Sequence, residues 1–374
     1  MEFHKRTNMK LLEESFTLPP DMSALGGNGR GTGYPLYITA KRYHVQEVQV
    51  FERDSDAITV LAFHSTSFHK ETWEPTLEAL FEALITNGLG KVKIREVWAV
   101  DCPNHGHAGI LNREVLKRKE FATDFSCERY AMAIHRFLLG APKCFGVDFS
   151  KRRLVGLGHS LGANALLLLQ GLQPVFPFIS FIIVEPMVSP GDGHDLDKLR
   201  ARLVESAKRR AFEWPDRETA FLSLKEDRRT KRWDESVLRT FAKHAMAESP
   251  SGAVTLACTP QQEQAMYLDV PGATRPVEEL TRLCSLLPVH LVIGLKNDFM
   301  YGAPLSSPFK MLIYVPISPR VVHERLLDPA SGRIYASVKE VPDIGHLIPQ
   351  EIPKKLGGLV HELLALIMER QAKL

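Results

Sequence analysis

Ser160 sits in Gly158-His159-Ser160-Leu161-Gly162, between the apolar run Arg153-Leu154-Val155-Gly156-Leu157 and the helix-forming run Ala163-Asn164-Ala165-Leu166-Leu167-Leu168-Leu169. A G-x-S-x-G placed between a strand and a helix forms a nucleophile elbow, in which the serine is held on a strained turn. Glycines at 158 and 162 let strand and helix approach closely. The N-terminus of the following helix would direct its positive dipole end at an oxyanion formed beside Ser160.

A serine nucleophile needs a base, and the base needs an acid to orient it. In this arrangement the chain order is serine, then Asp or Glu, then histidine. Asp343-Ile344-Gly345-His346-Leu347 follows a predicted strand and precedes the closing helix, so His346 is the expected base. Asp298, after the strand Val289–Gly294, is the preferred acid. Glu185, at the end of the run Phe178–Val184, is the alternative, either as the acid or as a buried carboxylate beside the elbow. The oxyanion would be held by two backbone N–H groups: Leu161, directly after the nucleophile, and Phe68, in the loop His64–Trp73. His64 and His69 are read as hydrogen-bonding residues that order that loop. His105 and His107 have a metal-like His-x-His spacing but no third ligand, so the Asp101–His107 stretch is read as a turn at the mouth of the site and no metal is expected.

These residues need a scaffold that presents several loops at one end. Short strand candidates at Tyr37–Ala40, Val45–Phe51 and Ile58–Phe63 are followed by alternating helices and strands. The helices are Trp73–Thr86, Glu128–Leu139 and Ala163–Leu172, and the strands Val97–Asp101, Leu154–Leu157 and Phe178–Val184. Alternation of this kind predicts an α/β fold with a mostly parallel sheet covered on both faces. The wholly apolar strands agree with burial from both sides. From about residue 190 the texture changes to charged amphipathic helices, Asp195–Arg210, Glu218–Lys225 and Asp234–Met246, with no strand between them. Strand texture returns at His290–Ile293 and Ile334–Val341, and a helix over Lys354–Ala372 closes the pattern. The expected organisation is an irregular segment over 1–35, a core over 36–189 and 286–374, and a helical cap inserted over 190–285.

The chain has 374 residues, enough for a sizeable core. Its net charge of +3 implies no nucleic-acid partner. The basic clusters at 151–153, 208–210 and 228–232 are read as solvated faces. Five cysteines, odd in number and without C-x-x-C spacing, favour free thiols in a reducing compartment. The N-terminal residues lack a secretory h-region, and no apolar run is long enough to span a membrane.

With the elbow, the His64 loop, the Asp101–Gly106 turn, the inserted helices and Gly345-His346 in this order, the chain resembles the α/β-hydrolase superfamily. Segments His69-Lys70-Glu71-Thr72-Trp73-Glu74-Pro75, Lys208-Arg209-Arg210 and Trp214-Pro215-Asp216-Arg217-Glu218 are similar to a fungal subgroup of peroxisomal lipase-like and host-selective toxin biosynthesis hydrolases. The resemblance implies a serine hydrolase that cleaves an ester or thioester of a hydrophobic acyl group, an acyl-CoA among its possible substrates, without metal or organic cofactor. An acyltransferase using the same triad, or a non-catalytic binding protein on this fold, is the alternative. An epoxide hydrolase, which would carry an aspartate at the elbow, is disfavoured by Ser160. Ala372-Lys373-Leu374 is a variant of the Ser-Lys-Leu address, which implies the peroxisomal matrix and the peroxisomal import receptor as a partner.

Overall fold

The structure, a computed structural model, describes residues 9–21, 33–189, 196–296 and 319–373. Eleven strands are found among them: β1 (Leu12–Leu18), β2 (Ile38–His44), β3 (Ile58–Phe63), β4 (Ile94–Val100), β5 (Arg153–His159), β6 (Phe178–Val184), β7 (Glu213–Trp214), β8 (Met246–Glu248), β9 (Val254–Leu256), β10 (Val289–Gly294) and β11 (Ser337–Val341). Eight of them form one sheet in the order β1-β2-β4-β3-β5-β6-β10-β11. β1 and β2 run antiparallel to their neighbours, and every pair from β4 to β11 is parallel. This is an α/β hydrolase fold.

Every residue of β3 and of β10 is buried, because helices cover both faces of the sheet. One core holds the helices Cys127–Phe145, Leu161–Leu169 and Pro271–Cys284. The other packs Glu74–Thr86 and Pro353–Gln371 against the opposite face. Leu161–Leu169 is buried along its whole length, and its nearly all-apolar sequence suits an element with no solvent face. Cys127–Phe145 starts at Ser126, whose side chain accepts from the Arg129 N–H, and stops at Gly146 with φ 70°.

Several boundaries differ from the sequence expectation. The first 35 residues include a strand, β1, whose polar residues pair across the sheet edge: Glu13 with Lys41 and Glu14 with Arg42. Gln46–Phe51 is a 3₁₀ helix and not a strand. Val45, Val48 and Phe51 are buried at a spacing of three while Val50 is 72% exposed, so the three-residue period prevails over alternation. The inserted region carries the small antiparallel sheet β7-β9-β8 among its helices, where no strand was expected. Pro271–Cys284, placed in the cap by the 190–285 boundary, packs instead against the elbow helix: Ala273, Val277, Leu280 and Leu283 belong to the main core. Among the described residues no helix is long and apolar enough to cross a membrane.

The parallel register brings the loops together. Phe63 pairs with Gly158, His159 with Val184, and Gly294 with Val341. The loops after β3, β5, β6, β10 and β11 therefore leave the same edge of the sheet, where open parallel sheets place their ligands.

Candidate active site

Ser160 follows β5 and precedes the first turn of Leu161–Leu169, with φ 52° and ψ −116°. The tightness of the turn explains the glycines. A Cβ at Gly158 would lie 2.5 Å from the Ala163 Cα, and one at Gly162 2.2 Å from the Phe63 carbonyl oxygen. The Ser160 N–H donates to the Val184 carbonyl at 3.0 Å, locking the elbow to the end of β6.

The Ser160 Oγ lies 2.9 Å from His346 Nε2, and His346 Nδ1 lies 3.2 Å from Glu185 Oε2. With Nδ1–H donating to the carboxylate, Nε2 is left to accept the serine proton. His346 is positioned from the backbone as well. Its carbonyl accepts from His159 Nε2–H at 2.9 Å, and Lys296 N–H donates to the Ile344 carbonyl at 2.7 Å. Burial pushes His159 down to about 3, with the neighbouring His346 adding to the effect, so the elbow histidine is a neutral donor.

Glu185 is the residue directly after β6, with φ 47°. Its Oε1 accepts from Gly294 N–H at 2.6 Å and from His323 Nε2 at 3.1 Å. Burial opposes its charge, but hydrogen bonds from His323 and His346 outweigh that and bring it to about 2. Asp298 lies outside the described residues; within them, the carboxylate on His346 is Glu185. The signal was present in the strand pairing. His159 and Val184 are register partners, so the next residues, Ser160 and Glu185, emerge side by side.

Leu161, the expected oxyanion donor, supplies the first amide of the elbow helix. The amide of Phe68 is not available in the same way: it donates to the Ser65 carbonyl at 3.2 Å and closes a turn. The Phe68 ring rises into the cap, 5.1 Å from Trp233. Inside that turn the Thr66 N–H has no hydrogen-bond partner among the described residues. His64 bridges two loops, its Nδ1 2.8 Å from the Ser65 carbonyl and its Nε2 accepting from the Cys102 N–H at 2.9 Å. His69 is 3.0 Å from Glu71. His105 is buried and His107 exposed. No group of three His, Cys, Asp or Glu side chains among the described residues is placed to hold a metal ion.

Non-glycine residues rarely adopt positive φ, and such strain persists where the surroundings enforce it. Four do so among the described residues: Ser67 (74°), Ser160 (52°), Glu185 (47°) and Asp343 (62°). They fall in the loop after β3, at the elbow, on the carboxylate, and three residues before His346. Among the described residues, the non-glycine positions with positive φ are thus gathered around one site.

The model of the alpha/beta hydrolase family matches residues 60–356, most of the chain. The chain belongs to the alpha/beta hydrolase family. A type I acyl-CoA thioesterase, mpaH, of Penicillium roqueforti is 30% identical over 169 residues, 44% of this chain and 35% of that protein. The chain thus spans about a third of the length of the thioesterase relatives it matches. An abhydrolase domain-containing protein, AKT2, of Alternaria alternata is 25% identical over 222 residues, 55% of this chain and 81% of that one. Among solved structures, the peroxisomal alpha-beta-hydrolase Lpx1 of Saccharomyces cerevisiae superposes with a TM-score of 0.67 at 17% identity, covering 96% of this chain and 90% of that one. The thioesterase domain of the curacin biosynthetic pathway gives 0.56 at 15% identity, covering 93% and 99%. Likenesses at these identities establish the fold.

Proposed function

We propose that this protein is a serine hydrolase that cleaves an ester or thioester of a hydrophobic acyl group, with Ser160 as nucleophile, His346 as base and Glu185 as the acid that orients it. The observation that carries this reading is the hydrogen-bonded line from Ser160 through His346 to Glu185, with the serine on a strained elbow. His346 Nε2 takes the Ser160 proton as Oγ attacks the acyl carbon. The N–H groups of Leu161 and Thr66 receive the oxyanion, with Thr66 taking the role expected of Phe68. As the tetrahedral intermediate collapses, His346 passes its proton to the departing alkoxide or thiolate. Water, deprotonated by the same nitrogen, then releases the acid and regenerates Ser160. Glu185 keeps its charge throughout and stabilises the imidazolium.

A thioester substrate is supported by the thioesterase names of the relatives, with an acyl-CoA as the first compound to test. Acyl-chain selection is assigned to the inserted cap, whose apolar cluster of Trp214, Phe241, Met246 and Leu256 meets Phe68 above the loop after β3. The peroxisomal address and a place in lipid or secondary-metabolite synthesis are part of the same proposal. Ala372 and Lys373 are exposed, and Leu374 lies outside the described residues. Deleting the tripeptide should release a fluorescent fusion to the cytosol; unchanged puncta would remove the address.

Fluorophosphonate labelling of wild type and Ser160→Ala, read by intact mass, tests the central claim. A single adduct on wild type alone is expected, followed by turnover of p-nitrophenyl esters and acyl-CoA thioesters that depends on chain length. Absence of an adduct on folded wild type, or equal labelling of the variant, would overturn it.

A further inference from the structure

The turn after β3 is gripped by one cap helix, Pro260–Leu268, along two routes. The first is direct. Glu263, 2% exposed, accepts from the Ser67 hydroxyl and from Tyr267 OH at 3.0 Å, while Arg210 lies 2.5 Å from its other oxygen. The second is a relay: Gln262 Oε1 accepts from Asn104 Nδ2 at 3.2 Å, and Asn104 Oδ1 accepts from His105 Nδ1–H at 2.6 Å. His105 Nε2 then accepts the Ser67 N–H at 2.9 Å. Both routes end on Ser67, the residue held at φ 74°.

The geometry of the turn shows what the grip controls. The Ser65 carbonyl accepts from the Phe68 N–H and lies 2.8 Å from His64 Nδ1. That carbonyl belongs to the same peptide plane as the Thr66 N–H, which in a trans peptide points the opposite way. A peptide anchored at its oxygen and followed by a strained, doubly held residue has a fixed N–H direction. A buried carboxylate is costly unless it is paired and hydrogen-bonded. Arg210, Tyr267 and Ser67 provide this compensation at one point of contact between cap and core.

We propose that Glu263 is a positioning residue that clamps the cap onto the turn after β3 and thereby aims the Thr66 N–H, so that the donor is in place when the cap is seated. The link to catalysis rests on the hydrolase reading above; the coupling of cap to loop does not. The test compares wild type with Glu263→Ala, Ser67→Ala, the double variant and Glu263→Gln. Amide hydrogen exchange over 64–69 should rise in Glu263→Ala and Ser67→Ala, with 158–165 unchanged. With p-nitrophenyl acetate, kcat should fall about 10- to 100-fold, less than the loss of a whole oxyanion donor, and KM should change little. The double variant should be no worse than the poorer single one, and Glu263→Gln, which keeps the acceptor oxygen, should recover part of kcat. Unchanged exchange at 64–69 in folded Glu263→Ala or Ser67→Ala, or kcat losses that multiply in the double variant, would overturn the clamp. Raised exchange in a protein whose wild type takes no fluorophosphonate would support the clamp and overturn only the hydrolase reading. Should Glu263→Ala fail to fold, Ser67→Ala carries the same readouts.

Discussion

Glu185 is gripped on both oxygens, which is what an orienting acid requires: Gly294 N–H and His323 hold Oε1 while Oε2 faces His346. Glu185→Gln would replace an anion with a neutral amide whose NH₂ can present a donor to Nδ1, favouring the wrong tautomer. A kcat loss of about 10³- to 10⁴-fold with KM nearly unchanged is expected, measured by steady-state kinetics on an ester substrate. Asp298→Asn should cost far less; a larger loss there would return the acid to the loop after β10. Ser160, His346 and Leu161, the first two of which the structure brings together, were legible as candidates because they sit in local motifs. Glu185 was legible only as an alternative, since choosing it requires the register of β5 against β6. The proposed donor Thr66 was not legible, because a single turn hydrogen bond, Phe68 N–H to the Ser65 carbonyl, decides which amide of that loop is left over. His323 lies in the short helix Pro319–Leu326, which has no motif to mark it.

Elements were readable where burial is two-sided. β3, β5, β6 and β10 are short apolar runs bounded by turn residues, and each is found within one or two residues of its expected limits. Reading failed where an element is stabilised by a neighbour instead of by its own pattern. β1 is held by ladder bonds and ion pairs to β2, so its sequence, LEESFTL, lacks a strong apolar signature. β7, β8 and β9 are two or three residues long, below the length at which alternation can be seen. The packing of Pro271–Cys284 was not readable for a related reason. Pro271–Cys284 has the charged outer face of the preceding cap helices, and only its contact with Leu161–Leu169 shows that it covers the sheet. Cap and core are therefore joined in sequence by a helix that supports the elbow from behind, and in space by the cap helix that holds Ser67.

At the scale of the whole molecule, the loops around the site depend on histidines that the fold keeps neutral. Burial pushes His64 down to about 4 and His159 to about 3, and holds His105 well below its ordinary value. Each acts through a neutral imidazole: His64 and His105 accept a backbone N–H, and His159 donates to the His346 carbonyl. In the unfolded chain each titrates near 6.5. Because the folded values are depressed, the unfolded state binds more protons as pH falls below about 6.5. Stability is then lost continuously down to the folded values, about 4 for His64 and about 3 for His159. Each histidine contributes about 1.4 kcal/mol per pH unit at full slope, so the three together amount to about 4 kcal/mol per unit. Glu185 adds to this at lower pH, its contribution disappearing as pH falls from about 4.3 toward 2. The urea midpoint should therefore be nearly level above pH 7 and drop steeply between pH 6.5 and 5. His159→Gln, which keeps a donor but cannot titrate, should reduce that slope by one histidine's share, about 1.4 kcal/mol per pH unit. A midpoint that stays level from pH 7 to 5, or a slope unchanged in His159→Gln, would mean that these imidazoles take up protons in the folded state and that the loops around Ser160 do not depend on their neutrality.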